Sequence, residues 1–196
     1  MSLNSTETEI KLPLTPEKNV QQAWLPSIGF QLKKERTLEQ NTLFDTYPPG
    51  LRPRGELLRI RECGSESILT FKGRATAGKY KVREELEVPF RDAATMAAIF
   101  ERLGYFPGFR YEKYRTEYTD GHGILTIDET PIGSFLELEG TAQWIDEKAA
   151  ALGYKESDYI TSSYGALYAE HCSKAGIPPG DMVFRESPER TSIKSS

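Results

Sequence analysis

Apolar and polar positions along this chain alternate with a period of two in segment after segment, which marks strands with one greasy and one polar face. The first is Glu7-Thr8-Glu9-Ile10-Lys11, where Glu7, Glu9 and Lys11 share one face and Thr8, Ile10 and Leu12 the other. The pattern returns at Leu57 to Arg61, Ile68 to Lys72, Tyr80 to Val88, Arg110 to Tyr118, Ile124 to Asp128 and Phe135 to Glu139. Two further short strands are expected near Lys34 to Leu38 and Asn41 to Thr46, joined by a turn around Glu39. Asp120-Gly121-His122-Gly123 reads as a hairpin turn, and the prolines and glycines from Tyr47 to Gly55 predict a loop without regular structure.

Helical spacing interrupts this pattern in four places. A short helix is expected from about Glu17 to Leu25, with Val20, Ala23 and Trp24 on its apolar stripe. A second runs from Ala93 to Leu103, capped by Asp92 and stopped by Gly104, burying Met96, Ile99, Phe100 and Leu103. The last third reads as helices from Gln143 to Leu152 and from Ser157 to Lys174. Residues 1–175 are expected to form one domain and 176–196 a loosely held tail rich in Pro, Gly, Ser and charge.

The polar faces are ionic to an unusual degree. They carry seven acids, Glu7, Glu9, Glu85, Glu87, Asp128, Glu137 and Glu139, and seven bases, Lys11, Arg59, Arg61, Lys72, Arg83, Lys113 and Arg115. Any one such row reads as the solvated side of an antiparallel sheet. Two features of the set point the other way: acids and bases segregate by strand, and the helices suffice to cover the apolar rows. The arrangement then expected is an α+β fold, an eight-stranded antiparallel β-barrel with a charged interior and helices packed outside. Charges enclosed in that way must pair or bind something. Arg and Lys match phosphate oxygens, and carboxylates without thiolate or imidazole partners favour Mg²⁺ or Mn²⁺. No Gly-rich phosphate loop is present, so side chains would have to hold the phosphates.

Composition narrows the partners. With 25 basic and 29 acidic residues the net charge is −4, which does not favour nucleic acid or an acidic membrane surface. Cys63 and Cys172 have no motif spacing, and two histidines, His122 and His171, argue against a zinc site and look like surface residues. No leader-like or membrane-length apolar run stands out, so a cytoplasmic location is expected.

Glu7-x-Glu9-x-Lys11 resembles the ExExK signature of the CYTH domain, the triphosphate tunnel metalloenzymes. The supporting stations follow in that family's order: Leu58-Arg59-Ile60-Arg61, Leu69-Thr70-Phe71-Lys72, Arg83-x-Glu85-x-Glu87, Lys113-x-Arg115, Ile127-Asp128, and Gly133-x-Phe135-x-Glu137-x-Glu139. The chain departs from many members in carrying Asn41 and Leu43 where they have Asp and Tyr. The resemblance, closest to the class IV adenylyl cyclase branch, implies a tunnel-forming barrel, dependence on divalent metal and a triphosphate substrate: ATP, tripolyphosphate or thiamine triphosphate. It implies that Lys11, Arg59, Arg61, Lys72, Arg83, Lys113 and Arg115 bind phosphates, Lys113 reaching the reacting group. It implies metal sites at Glu7, Glu9, Asp128, Glu137 and Glu139; Glu85 and Glu87 are either further ligands or partners that orient the bases. Glu7, Glu9, Lys11 and Lys113 would carry the chemistry. Arg36 and Lys81 read as ordinary strand charges.

Three activities fit this reading: cyclisation of ATP to cyclic AMP and pyrophosphate, hydrolysis of an inorganic or organic triphosphate, and binding without turnover. The chain is expected to act as a monomer or homodimer.

Overall fold

In a computed structural model, residues 5–15, 25–76 and 78–184 are described. Eight strands are present: β1 (Ser5–Pro13), β2 (Gln31–Asp45), β3 (Leu57–Cys63), β4 (Glu66–Lys72), β5 (Lys81–Phe90), β6 (Phe106–Thr119), β7 (Ile124–Thr130) and β8 (Gly133–Glu139). Every neighbouring pair is antiparallel, and the strands close into a barrel in the order β1-β5-β4-β3-β2-β6-β7-β8. Closure leaves two surfaces, and the alternation of each strand assigns its side chains to one or the other.

The apolar rows point outward. Ile10, Leu12, Leu125, Ile127, Leu136 and Leu138 form one buried cluster with Trp144, Ile145 and Ala149 of helix α3 (Ala142–Ala151). Gly123 and Gly140 let the Trp144 ring lie against the barrel, since a Cβ on either would come within 2.7 or 2.8 Å of it. A second cluster joins Phe44 and Ile60 to Phe100 of α2 (Ala93–Arg102). The Asp92 carboxylate accepts from the Thr95 amide to start that helix, and Gly104, at φ 86°, follows its end. Among the described residues, no helix is long and apolar enough to cross a membrane.

Three sequence expectations change, and a fourth falls mostly outside the described residues. The turn around Glu39 does not exist: β2 runs unbroken for 15 residues, with register shifts between Leu32 and Lys34, Lys34 and Thr37, and Leu43 and Phe44 that blur its alternation. The loop after β2 holds one helical turn, α1 (Leu51–Arg54), because the Asp45 carboxylate accepts from the amides of Thr46, Gly50, Leu51 and Arg52 at 2.7–3.0 Å. The helix expected from Ser157 to Lys174 is broken. A 3₁₀ turn (Glu156–Asp158) leads to an extended stretch whose Ile160 exchanges backbone hydrogen bonds with Lys11, and only then does α4 (Tyr164–Ala175) begin. Most of the helix expected from Glu17 to Leu25 lies outside the described residues, while 25–28 form a 3₁₀ turn.

The segment expected to be a loose tail is held as far as Phe184. Met182 is 1% exposed and bridges Tyr111, and the Phe184 amide donates to Glu112. Residues 160–184 therefore form a strap that crosses one end of the barrel from β1 to β6. Beneath it, Phe109, Tyr111, Phe135, Tyr164 and Tyr168 make ring contacts with centroids 5.7–6.1 Å apart.

Candidate functional site

The ionic rows face the barrel's interior, as alternation predicts. Glu7, Glu9, Lys11, Arg59, Lys72, Lys113, Asp128 and Glu137 are all buried, with Lys11 and Lys113 each only 2% exposed and Asp128 fully enclosed. Arg61, Arg83, Glu85 and Arg115 are nearly as covered, while Glu87 and Glu139 stand closer to solvent.

One network of ion pairs joins all of them but Glu139. Lys72 Nζ donates to both Glu7 oxygens at 2.8 Å and lies 2.9 Å from Glu85; Arg83 Nε reaches Glu7 at 3.2 Å. Lys11 sits 3.1 Å from Glu137 and 3.6 Å from Glu9. Arg61 and Arg59 approach Glu87 at 3.2 and 3.4 Å, and Thr70 donates to the same carboxylate at 2.8 Å. Asp128 is saturated: it accepts from Lys113 at 2.9 Å, from Arg115 twice at 2.6 and 2.7 Å, and from the Tyr164 hydroxyl at 2.7 Å. Arg115 also donates to Glu137.

Two charged residues join that the sequence reading did not place here. Lys81, read as an ordinary strand charge, is 7% exposed and donates to Glu9 at 2.7 Å; it shares the parity of Arg83, Glu85 and Glu87, which was the available signal. Glu39 is 2% exposed and lies 3.5 Å from Lys113 and 3.9 Å from Arg61. Tyr111 and Tyr164 also enter, the first accepting from Arg59 at 3.1 Å. Tyr164 comes from the strap, so strand alternation carried no signal for it. Asn41 and Leu43 take their places on the inner face, opposite Arg61 and Arg59 respectively. Arg36 stays outside, over the Tyr114 ring and paired with Glu129.

The electrostatics divide the acids. Burial alone would raise the Glu9 carboxyl, but Lys11, Lys81 and Lys72 outweigh burial and the opposing Glu137 and hold it low. Lys113 and Arg115 overcome burial at Glu39 and keep it at about 2. Two glutamates go the other way. Burial, then the Glu7 charge, pushes Glu85 up to about 7 despite Lys72. Burial together with Glu7, Glu9 and Glu137 pushes Glu139 up to about 7 as well. Among the bases, burial and the neighbouring Lys11 charge bring Lys81 down to about 8.

The donor set suits a hard divalent cation: lumen carboxylates without thiolate or imidazole, two of them raised by burial and by the charge of neighbouring carboxylates, which a cation would relieve. Among the described residues no three acidic, His or Cys side chains already stand grouped around one point. The Glu139 side chain forms no hydrogen bond or ion pair among those residues, whereas Glu7, Glu9 and Glu137 would exchange a base for the ion.

A family model described as the CYTH domain matches residues 5–164. A candidate adenylate cyclase from Methanocaldococcus jannaschii is 32% identical over 147 residues, 74% of this chain and 83% of that protein. Among solved structures, a candidate adenylate cyclase from Vibrio parahaemolyticus superimposes with TM-score 0.74 at 17% identity, covering 84% of this chain and 98% of that one. A candidate adenylyl cyclase from Hippeastrum, described as having a dominant triphosphatase activity, gives 0.56 at 19%, covering 89% and 97%. At these identities the two structures speak for the fold alone.

Proposed function

The chain belongs to the CYTH domain family, and from that premise we propose that it is a divalent-metal-dependent enzyme acting on a short triphosphate, with ATP cyclisation to cyclic AMP and pyrophosphate as the leading reading. The observation that carries it is the lumen's set of eight acids and eight bases, all but Glu139 joined by ion pairs: the seven of each named from the sequence, with Glu39 and Lys81. Fully ionised, the lumen sums to zero. A guest must therefore bring its own neutralisation, as a phosphate chain with divalent cations does.

In this reading Arg59, Arg61, Lys72, Arg83 and Arg115 turn from their carboxylate partners to phosphate oxygens, with Lys11 assisting. Lys113 reaches the reacting phosphoryl group. Asp128, saturated by Lys113, Arg115 and Tyr164, orients those two bases instead of holding metal. Mg²⁺ or Mn²⁺, held by Glu7, Glu9, Glu137 and Glu139 with Glu85 and Glu87 beside them, would neutralise phosphate charge and polarise phosphorus.

Hydrolysis is the second reading. Glu85, poised at about 7, is suited to take a proton from an attacking water at neutral pH, and the Hippeastrum neighbour bears a triphosphatase description. The deciding assay supplies ATP and tripolyphosphate with Mg²⁺ and with Mn²⁺. Cyclic AMP with pyrophosphate supports cyclisation; orthophosphate without a cyclic nucleotide removes it in favour of hydrolysis. Tight binding of both without turnover under either metal leaves a binder and overturns catalysis.

A further inference from the structure

Almost every polar group of the lumen is paired, and the exceptions concentrate on one wall. The described buried side-chain atoms without a hydrogen-bond partner are both amide atoms of Asn41, Arg59 Nε, Thr126 Oγ1 and Glu39 Oε2, the last of which still lies 3.5 Å from Lys113 Nζ in an ion pair. Glu39 and Asn41 lie two residues apart on the inner face of β2, and Arg59 stands on the adjoining strand opposite Leu43. Asn41 is 2% exposed, with Tyr111 opposite it on β6. A buried amide with neither its donor nor its acceptor matched is a standing cost to the fold. Such a cost is expected where a ligand supplies the missing partners.

The surroundings say what kind of ligand. Asn41 lies toward the end crossed by the strap, where Leu43, Phe109, Tyr111 and Tyr164 replace the ionic rows with apolar and aromatic surface. Phosphate has no use for that surface or for the unmatched acceptor Asn41 Oδ1. A planar ring does, and flat aromatic walls suit it. The amide offers one donor and one acceptor side by side, the complement of a ring nitrogen next to an exocyclic amine. Glu39 Oε2, a second acceptor on the same face, disfavours a carbonyl at the amine's position.

Resting on the triphosphate reading above, we infer that Asn41 is a specificity residue that reads an aminated heteroaromatic ring on the substrate, with Glu39 beside it. Of the three substrates that the family resemblance implies, two carry such a ring: ATP through adenine and thiamine triphosphate through its aminopyrimidine. The remaining lumen holds the phosphates in either case. Inorganic tripolyphosphate uses only that remainder.

The test is calorimetric binding in Mg²⁺ of ATP, of ITP (the 6-oxo analogue), of thiamine triphosphate and of tripolyphosphate, to wild type, Asn41→Leu and Asn41→Asp. A bidentate amide contact predicts that wild type prefers the aminated ring by roughly 5- to 150-fold. For ATP the comparison is with ITP, and for thiamine triphosphate it is with tripolyphosphate. Asn41→Leu should erase that preference, shift tripolyphosphate affinity by less than about twofold, and leave the melting midpoint unchanged or higher, because an unmatched amide is gone. Asn41→Asp, which keeps the shape and loses the donor, should erase it too. Loss of the ATP-to-ITP ratio identifies adenine; loss confined to thiamine triphosphate identifies the aminopyrimidine. Equal weakening of all four ligands, or no ring preference in wild type, overturns the assignment of Asn41. Failure of wild type to bind even tripolyphosphate overturns the proposed function instead.

Discussion

Replacing Asp128 with Ala asks most directly whether the ionic rows behave as enclosed charges. Asp128 has no exposed surface and accepts four hydrogen bonds, three from cations and one from Tyr164. Its removal strands Lys113 and Arg115, but not entirely: Lys113 keeps Glu39 at 3.5 Å and Arg115 keeps Glu137. Breaking one side of a buried ion pair costs about 3–5 kcal/mol, and the surviving partners favour the lower end. For a chain of 196 residues each kcal/mol moves the midpoint by roughly 2–4 °C, so a drop of about 6–12 °C is expected. Thermal unfolding followed by circular dichroism measures it. The Tyr164 anchor goes at the same time, so the strap should become more accessible to protease than the barrel. A drop below about 2 °C would place Asp128 among exposed pairs worth at most ~1 kcal/mol, and the enclosed-lumen argument would fail with it.

Other consequences are open to measurement. Arg59→Ala should behave oppositely. Glu87 retains Arg61 and Thr70, and repulsion between neighbouring bases falls, so stability should change by less than about 1 kcal/mol while kcat/KM falls at least about 100-fold; an early-melting variant with full activity contradicts this. Glu85 and Glu139 titrate at about 7 in the fold against 4.5 as free groups, so the folded state binds more protons between those values. Their contribution to unfolding free energy therefore falls as pH rises from about 4.5 to 7 and stays low above that. Glu85→Gln should raise the melting midpoint at pH 8 and lose that advantage by pH 5; a constant offset across the range would contradict the assignment. Mg²⁺ or Mn²⁺ bound by these carboxylates should release protons near pH 6.5, visible as buffer-dependent heats in calorimetry, and buffer-independent heats would exclude them as ligands.

Much of the barrel was legible because one physical rule, alternation across a pleated strand, applies wherever both faces have unlike neighbours. Glu7/Glu9/Lys11 and Glu137/Glu139 could be placed by parity alone. The rule failed where the backbone departs from regular pleating. In β2 the pairing is regular from Thr37 to Leu43, so Glu39 and Asn41 share the inner face; the turn expected around Glu39 separates them in the sequence pattern, where the strand in fact continues between register shifts on either side. It could not reach Tyr164 at all, because that side chain arrives from a helix outside the sheet. The split between Ile160 and Tyr164 escaped for a related reason: Ile160 is extended and pairs with Lys11, far away along the chain. Lys81 was a failure of weighing, since its parity was plain and its burial was not.

The strap has a consequence for traffic. With residues 160–184 drawn across one end and Tyr164 seated among the lumen's charges, passage through that end would require the strap to move. If it stays in place, a guest that is cut in two inside must shed its outer fragment before the inner one can leave.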